Sequence, residues 1–260
     1  MKVVILCGGQ GTRIRDVADN IPKPMIPVGG LPILWHIMKY YAHYGHKEFV
    51  LCLGYKAGVI KEFFLNYEAM TRDFTVQLGG GIKEYHSVHA ESDWSVTLAD
   101  TGLETMTGGR ISRIRKFIGD DDNFLLTYGD GLGDIDIEKS IAFHRSHGRI
   151  LTVTGVRPPG RFGEIVGDTS GLVTEFNEKP QATGGLISGG FFVCRKELFS
   201  YLENRESLVF EAEPIRQLVR DEELMVYQHA GFWQPMDTYR DYSLLNGMIE
   251  RGNAPWRVWE

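Results

Sequence analysis

Residues 3–27, VVILCGGQGTRIRDVADNIPKPMIP, constrain this chain more than any other stretch. Val3 to Leu6 is a short apolar run rich in β-branched residues, the pattern of a strand buried on both faces. Gly8, Gly9 and Gly11 follow at once. Three glycines in four positions let the backbone take φ > 0 and bring N–H groups close to whatever lies above the strand end, which suits a row of phosphate oxygens. Arg13 and Lys23 add fixed positive charge. Lys23 stands between Pro22 and Pro24, so its backbone is expected to be extended, with the cation held out from a stiff segment. An ordinary strand and turn, with glycines that only make a bend, would use the same residues. The spacing fits neither a dinucleotide fingerprint, which would need glycine at Ile14, nor a P-loop, because Gly11-Thr12-Arg13 does not supply Gly-Lys-Ser/Thr.

With 260 residues and 43% hydrophobic content, the chain can bury a sizeable core as one large α/β domain or two small ones. The net charge of −6 and the absence of any basic block argue against a nucleic-acid partner. The apolar run before the first glycines is too short for a signal peptide, and no later run approaches a membrane span, so a soluble cytoplasmic protein is expected. Cys7, Cys52 and Cys194 each lie within or at the end of an apolar run and read as reduced, packed thiols. His86 and His89, three apart in EYHSVH with no third ligand nearby, read as surface strand residues rather than metal ligands.

Further along, residues 31–45 place Leu34, Ile37, Met38 and Tyr41 at helical spacing before Gly45, which predicts a core helix with a glycine stop. A strand over 48–53, a turn at Gly54-Tyr55 and an amphipathic helix over 59–67 continue a strand–helix alternation that predicts a parallel sheet wrapped by helices. Residues 74–78 and 95–98 read as strands, with a polar stretch between them that pattern does not place. DTGLETMTGGR, 100–110, reads as a loop whose amides could face a ligand or simply connect, with Gly108-Gly109 bending the chain before a helix over 110–118.

Residues 124–128 form a buried strand ahead of Gly129-Asp130-Gly131. Asp-Gly is also a hairpin signal, but the residues that follow lead toward a helix rather than a partnered strand, which places Asp130 at the carboxyl end of a parallel sheet. A carboxylate there, kept clear of bulk by glycines, suits Mg²⁺, which takes one or two carboxylates plus phosphate oxygens. A strand over 150–156, a hairpin of 164–166 with 172–176, and a strand over 187–193 follow. Glu178-Lys179-Pro180 sets an acid and a base on a stiffened backbone, or is a solvated turn. Glu211 and Glu213 stand in or just before the first turn of a helix over 214–220, where the dipole favours them. After a strand over 224–228, Asp237 precedes a helix and would serve as its N-cap in its own right. Trp256 and Trp259 read as packing or subunit contacts.

LCGGQGTR with IPKPMIPVGG resembles the N-terminal signature of the sugar nucleotidyltransferase family: a strand, then GGxGTR, then a KP pair. The similarity runs over nearly the whole chain and is densest at GGQGTR, KPM, ILWHIMK, TGGRI, YGDG, PPGRFG, GGFFV and GFWQPMDT. It implies a Rossmann-like, mostly parallel α/β sheet flanked by helices, with a smaller β-rich sugar-binding region. One nucleotidyltransferase domain would cover 1–260, its nucleotide-binding half at about 1–135 and its sugar-phosphate half at about 136–260. Carried over residue by residue, Arg13 and Lys23 would be the catalytic cations on the nucleotide phosphates. Leu6, Cys7, Gly8, Gly9, Gly11, Thr12, Thr105, Arg110 and Gly129 would contact the nucleotide. Tyr128, Glu178, Lys179 and Gly190 would contact the sugar phosphate, with Gly189-Gly190 letting a sugar ring lie against the backbone. Asp130 and Asp237 would hold Mg²⁺.

Within the family, the 101–110 loop looks like that of the glucose-1-phosphate cytidylyltransferases. This implies CTP and glucose 1-phosphate as substrates, with no nucleic acid or membrane partner, and a homo-oligomer, trimer or hexamer. Two departures are the unrecognised segment 70–94 and Phe210, where tryptophan is expected. Another nucleoside triphosphate or sugar phosphate, or a catalytically silent sugar-nucleotide sensor, stays open. A nicotinamide oxidoreductase is disfavoured by the missing third glycine.

Overall fold

Alternate residues of Val3–Leu6 point to opposite sides of a sheet, and all four are apolar, so the strand can exist only with both faces covered. In the computed structural model, which describes residues 1–11, 14, 20–158, 164–167, 172–177 and 185–259, that is its place. Val3 and Ile5 join one core with Leu34, Ile37, Met38 and Tyr41 of the helix Ile33–His43. Val4 and Leu6 join a second core with Ile111, Ile118, Leu198, Phe210 and Leu218. Seven strands form the sheet, in the order Leu224–His229, Leu151–Val156, Ile187–Arg195, Asn123–Tyr128, Val3–Leu6, Glu48–Leu53 and Ser95–Asp100. Only Ile187–Arg195 runs antiparallel to its neighbours. The mostly parallel α/β sheet flanked by helices is thus the expected one, and it continues without a break across residue 135.

Val3–Leu6 is parallel to both of its neighbours, and Glu48–Leu53 to Ser95–Asp100. The carboxyl ends of four strands therefore share one edge, and from it leave the Gly8 turn, the 101–106 loop and Gly129-Asp130. The hairpin Glu164–Gly167 with Val173–Asn177 forms as expected.

Four local expectations are corrected. The core helix starts at Ile33, because Pro32 is extended (ψ 142°) in a two-residue strand paired with Pro27–Val28. The unplaced stretch holds a second strand, Ile82–Tyr85, paired antiparallel with Phe74–Gln77. Its sequence, Ile-Lys-Glu-Tyr, carries no apolar alternation to betray it. The helix expected from 110 begins at Thr107, with Gly108 and Gly109 inside its first turn. A Cβ at Gly108 would stand 2.7 Å from Leu208 Cγ, and one at Gly109 2.6 Å from the Arg205 carbonyl, so these glycines serve close packing rather than a bend.

The terminal tryptophans pack within the chain. Trp256 is fully buried, stacked on Phe232 at 5.6 Å and edge-on to His36, while Trp259 meets the Trp35 ring at 6.0 Å. Cys7, Cys52 and Cys194 are buried and unpaired. Among the described residues no helix is long and apolar enough to cross a membrane.

Candidate active site

Leu6 and Tyr128 are register partners, so the chain leaves both strands at one level. Gly129 N donates to the Leu6 carbonyl at 3.1 Å, and a Cβ at Gly129 would stand as close, so glycine is what lets the two strand ends touch. Above this edge lies a cleft of about 500 Å³ lined by the Gly8–Gly11 turn, Lys23, the 103–107 stretch, Tyr128, Asp130 and Asp237. That volume suits a small organic ligand, for which roughly 300–1,000 Å³ is usual.

Residues after Asp130 do pair, contrary to the expectation from local pattern. Gly131–Gly133 is antiparallel to Trp233–Pro235, a partner one hundred residues away, and Met236 N extends the ladder by donating to the Asp130 carbonyl at 2.9 Å. Asp130 and Asp237 therefore leave the same end of one ribbon. Asp237 does not cap the helix that follows it. Thr238 does, in a capping box with Asp241, whose Oδ2 also accepts from Asp237 N at 3.0 Å.

Lys23 completes the group, though not from an extended backbone. Lys23–Met25 is a 3₁₀ turn, held by Met25 N to the Pro22 carbonyl (2.8 Å) and Ile26 N to the Lys23 carbonyl (3.1 Å). Burial of Pro24 and Met25, together with these two bonds, outweighs the pre-proline bias. Its Nζ lies 2.6 Å from Asp130 Oδ2 and 2.6 Å from Asp237 Oδ1, so those oxygens are at most about 5 Å apart, twice the ammonium distance. Burial pulls the Lys23 pKa down, but the charge and hydrogen bonds of Asp130 and then Asp237 outweigh it, and the net shift is upward.

Two carboxylates thus converge on one positive charge, and the ammonium stands where a cation belongs. Among the described residues no set of three His, Cys, Asp or Glu side chains converges, here or elsewhere. Two oxygen donors with room for phosphate fit Mg²⁺, and would not fit a closed zinc site.

Arg110, expected to touch the nucleotide, spends its guanidinium on the protein. Nη1 donates to the Leu53 carbonyl, Thr101 Oγ1 and the Gly102 carbonyl at 2.8–2.9 Å, and Nη2 to the carbonyls of Gly8 (3.0 Å) and Leu103 (3.2 Å). At 5% exposure it ties three strand ends into the cleft floor. A Cβ at Gly8 would collide with this guanidinium, which is why that position is glycine. Of the three glycines in the turn only Gly11 has positive φ, 58°.

Thr105 lines the cleft, but its hydroxyl accepts from Arg113 Nη1 at 2.6 Å and donates to Glu206 at 3.2 Å. Gly190, at φ 77°, is bare for a different reason from the one expected. The Tyr128 ring lies where its Cβ would be, at 2.5 Å, so protein rather than sugar covers that backbone. Glu211, read from sequence as a helix-dipole acid, instead accepts from the Tyr128 hydroxyl and from Thr107 Oγ1 at 2.6 Å. Nothing local in the sequence marks it for this. Leu6, Cys7, Gly9 and Gly129 line the cleft. Thr12, Arg13, Glu178 and Lys179 lie outside the described residues.

Residues 2–250 match the family described as nucleotidyl transferase, and the chain belongs to that family. Its similarity to particular members is high. It is 47% identical over 260 residues, the whole of both chains, to glucose-1-phosphate cytidylyltransferase of Salmonella typhimurium. It is 44% identical over 259 residues, again the whole of both, to a probable glucose-1-phosphate cytidylyltransferase of Bacillus subtilis. Among solved structures, HddC from Yersinia pseudotuberculosis complexed with GMP-PN shares the fold, with a TM-score of 0.69 over 95% of this chain and 99% of that one at 23% identity.

Proposed function

We propose that the protein transfers the cytidylyl group of CTP to glucose 1-phosphate, releasing diphosphate and forming CDP-glucose. One observation carries the reaction class: a cation held 2.6 Å from each of two carboxylates at the carboxyl edge of a parallel sheet, beside a glycine turn. The choice of CTP and glucose 1-phosphate is supported by the end-to-end identity to proteins of that name.

A phosphate monoester with a second pKa near 6 is largely dianionic at neutral pH, so the nucleophile arrives ionised and needs no general base. One of its oxygens forms a bond to the α-phosphorus while the bond from that phosphorus to the bridging oxygen breaks, its electron pair leaving with diphosphate. The obstacle is repulsion between two polyanions that must be held in line. Mg²⁺ held by Asp130 and Asp237 would supply charge neutralisation on the triphosphate oxygens. Lys23, whose ammonium lies between those two carboxylates, would place its positive charge on the α-phosphate. Gly8, Gly9, Gly11 and Thr12 donate from the backbone, and Arg13 meets the charge growing on diphosphate. Lys179 and Glu178 would take the acceptor's phosphate and ring hydroxyls, and Tyr128 would border the acceptor. Thr105 borders the base. Residues 1–135 would form the nucleotide side of the cleft and 136–260 the acceptor side, in a homo-oligomer. The roles of Thr12, Arg13, Glu178 and Lys179, and the oligomer, rest on the family resemblance.

The test is diphosphate release from CTP, UTP, dTTP and GTP, each with glucose 1-phosphate and Mg²⁺. CTP is expected to lead in kcat/KM by on the order of 10²-fold or more, as a site built to hydrogen-bond one base allows. A lead by UTP or dTTP overturns the choice of nucleotide. Binding of CTP without turnover overturns the enzyme in favour of a sensor.

A further inference from the structure

The Glu211 carboxylate reaches both walls of the cleft, and neither the reaction described above nor the position of Glu211 ahead of a helix accounts for it. The segment before it is laced along the nucleotide loop. Met106 N donates to the Glu206 carbonyl at 2.8 Å, Gly109 N to the Leu208 carbonyl at 3.1 Å, and Phe210 N to Thr107 Oγ1 at 2.9 Å. Leu208 and Phe210 are buried, and the bare Gly108 and Gly109 let this strap lie directly on the helix Thr107–Arg113. The strap therefore delivers Glu211 to a defined place.

Its two oxygens take different partners. Oε2 accepts from Thr107 Oγ1 at 2.6 Å, and Oε1 accepts from the Tyr128 hydroxyl. Because Thr107 Oγ1 already accepts from Phe210 N, its single proton is directed at the carboxylate. Tyr128 is fixed as firmly, its ring packed into the space left by Gly190 and edge-on to Phe192 at 6.0 Å. The carboxylate can only accept, so the phenol is the donor. Thr107 closes the nucleotide loop and Tyr128 leads into Gly129-Asp130, and both line the cleft. A bare negative charge beside a site for two polyanions opposes their binding, so its value here is orientation through two hydrogen bonds rather than attraction.

We infer that Glu211 is a positioning residue that couples the two walls: through Thr107 it sets the nucleotide loop, and through Tyr128 it sets the acceptor floor. The inference rests on the assignment of this cleft to CTP and glucose 1-phosphate, and turnover of the wild-type protein with that pair tests the assignment separately.

Steady-state kinetics with both substrates varied tests the inference. Glu211→Ala is expected to raise KM for CTP and KM for glucose 1-phosphate together, each about tenfold, the size of one lost hydrogen bond to a charged acceptor. Thr107→Val should raise KM for CTP alone and Tyr128→Phe that for glucose 1-phosphate alone. Glu211→Gln keeps one acceptor and offers its amide NH2 to the other hydroxyl, which can turn to accept, so it should stay within about threefold of wild type for both. In the double variant Glu211→Ala with Tyr128→Phe, KM for glucose 1-phosphate should match that of Glu211→Ala by itself, because both changes break one bond.

If wild type turns over and Glu211→Ala leaves both KM values within twofold, or the double variant is additive, the coupling is overturned while the reaction stands. If Glu211→Ala does not fold, Glu211→Gln and the two partner variants decide. Loss of the CTP/glucose 1-phosphate split between Thr107→Val and Tyr128→Phe overturns the inference, and its presence with a near-normal Glu211→Gln supports it.

Discussion

Replacing Lys23 with methionine is expected to lower turnover by on the order of 10² to 10³-fold, the cost of one preorganised donor at the centre where charge develops. Methionine keeps most of the apolar stem, so the loss isolates the ammonium. The same change should act on the protein before any substrate binds. The Lys23 side chain is 11% exposed and bridges two carboxylates with one positive charge. Without it Asp130 and Asp237 lose the ammonium that bridges them.

Both carboxylates are about a third exposed, so water screens much of their repulsion, and a loss of about 1–2 kcal/mol is expected rather than the several typical of a fully buried pair. Millimolar Mg²⁺ should restore the stability of Lys23→Met and do little for wild type, where the ion must first displace the ammonium. Thermal unfolding with and without Mg²⁺, run beside the diphosphate assay, measures both. Normal turnover in Lys23→Met contradicts the role given to this residue.

Replacing Arg110 with methionine is expected to cost about 3–5 kcal/mol, in the range seen when a buried, hydrogen-bonded charge is removed from its partners. Five acceptors at the ends of three neighbouring strands lose a hydrogen bond, four backbone carbonyls and the Thr101 hydroxyl, although the Leu53 carbonyl still accepts from Thr101 and the Gly8 carbonyl from Tyr55 N. Lysine should not rescue the loss, because one ammonium cannot reproduce a planar fork with bonds to both sides. Urea unfolding gives the number. The outcome also separates two roles: an organiser of the floor loses stability first, whereas a residue that merely touches the nucleotide would lose CTP affinity at unchanged stability. A loss below about 1 kcal/mol, less than one hydrogen bond to a charged group is usually worth, rules out the organising role.

Much of this arrangement is visible in the sequence because its causes are local. Val3–Leu6 reads as a two-faced buried strand since all four residues are apolar, and Leu34, Ile37, Met38 and Tyr41 mark a buried helix face by spacing alone. Asp130 stands out because a strand ends there in glycines. What stayed hidden depends on partners far along the chain. Gly131–Gly133 pairs with residues about one hundred positions on, and nothing in Gly-Leu-Gly announces it. Arg110 and Gly8 explain each other only once their strands are side by side, and Gly190 is bare for Tyr128, not for a ligand. Glu211 looks like any acid ahead of a helix until the strap from Arg205 carries it to the cleft. The Lys23 turn departs from the extended form that Pro24 favours because the pre-proline preference is weak beside two hydrogen bonds, two buried neighbours and two carboxylates.

The convergence of Asp130 and Asp237 on one cation is tested most directly by titrating Mn²⁺ into the protein with CTP present and counting bound ions by electron paramagnetic resonance. One tight Mn²⁺ per chain is expected in wild type, weakened on the order of 10- to 100-fold by Asp130→Asn and equally by Asp237→Asn. Undiminished binding in either variant would contradict a shared metal site.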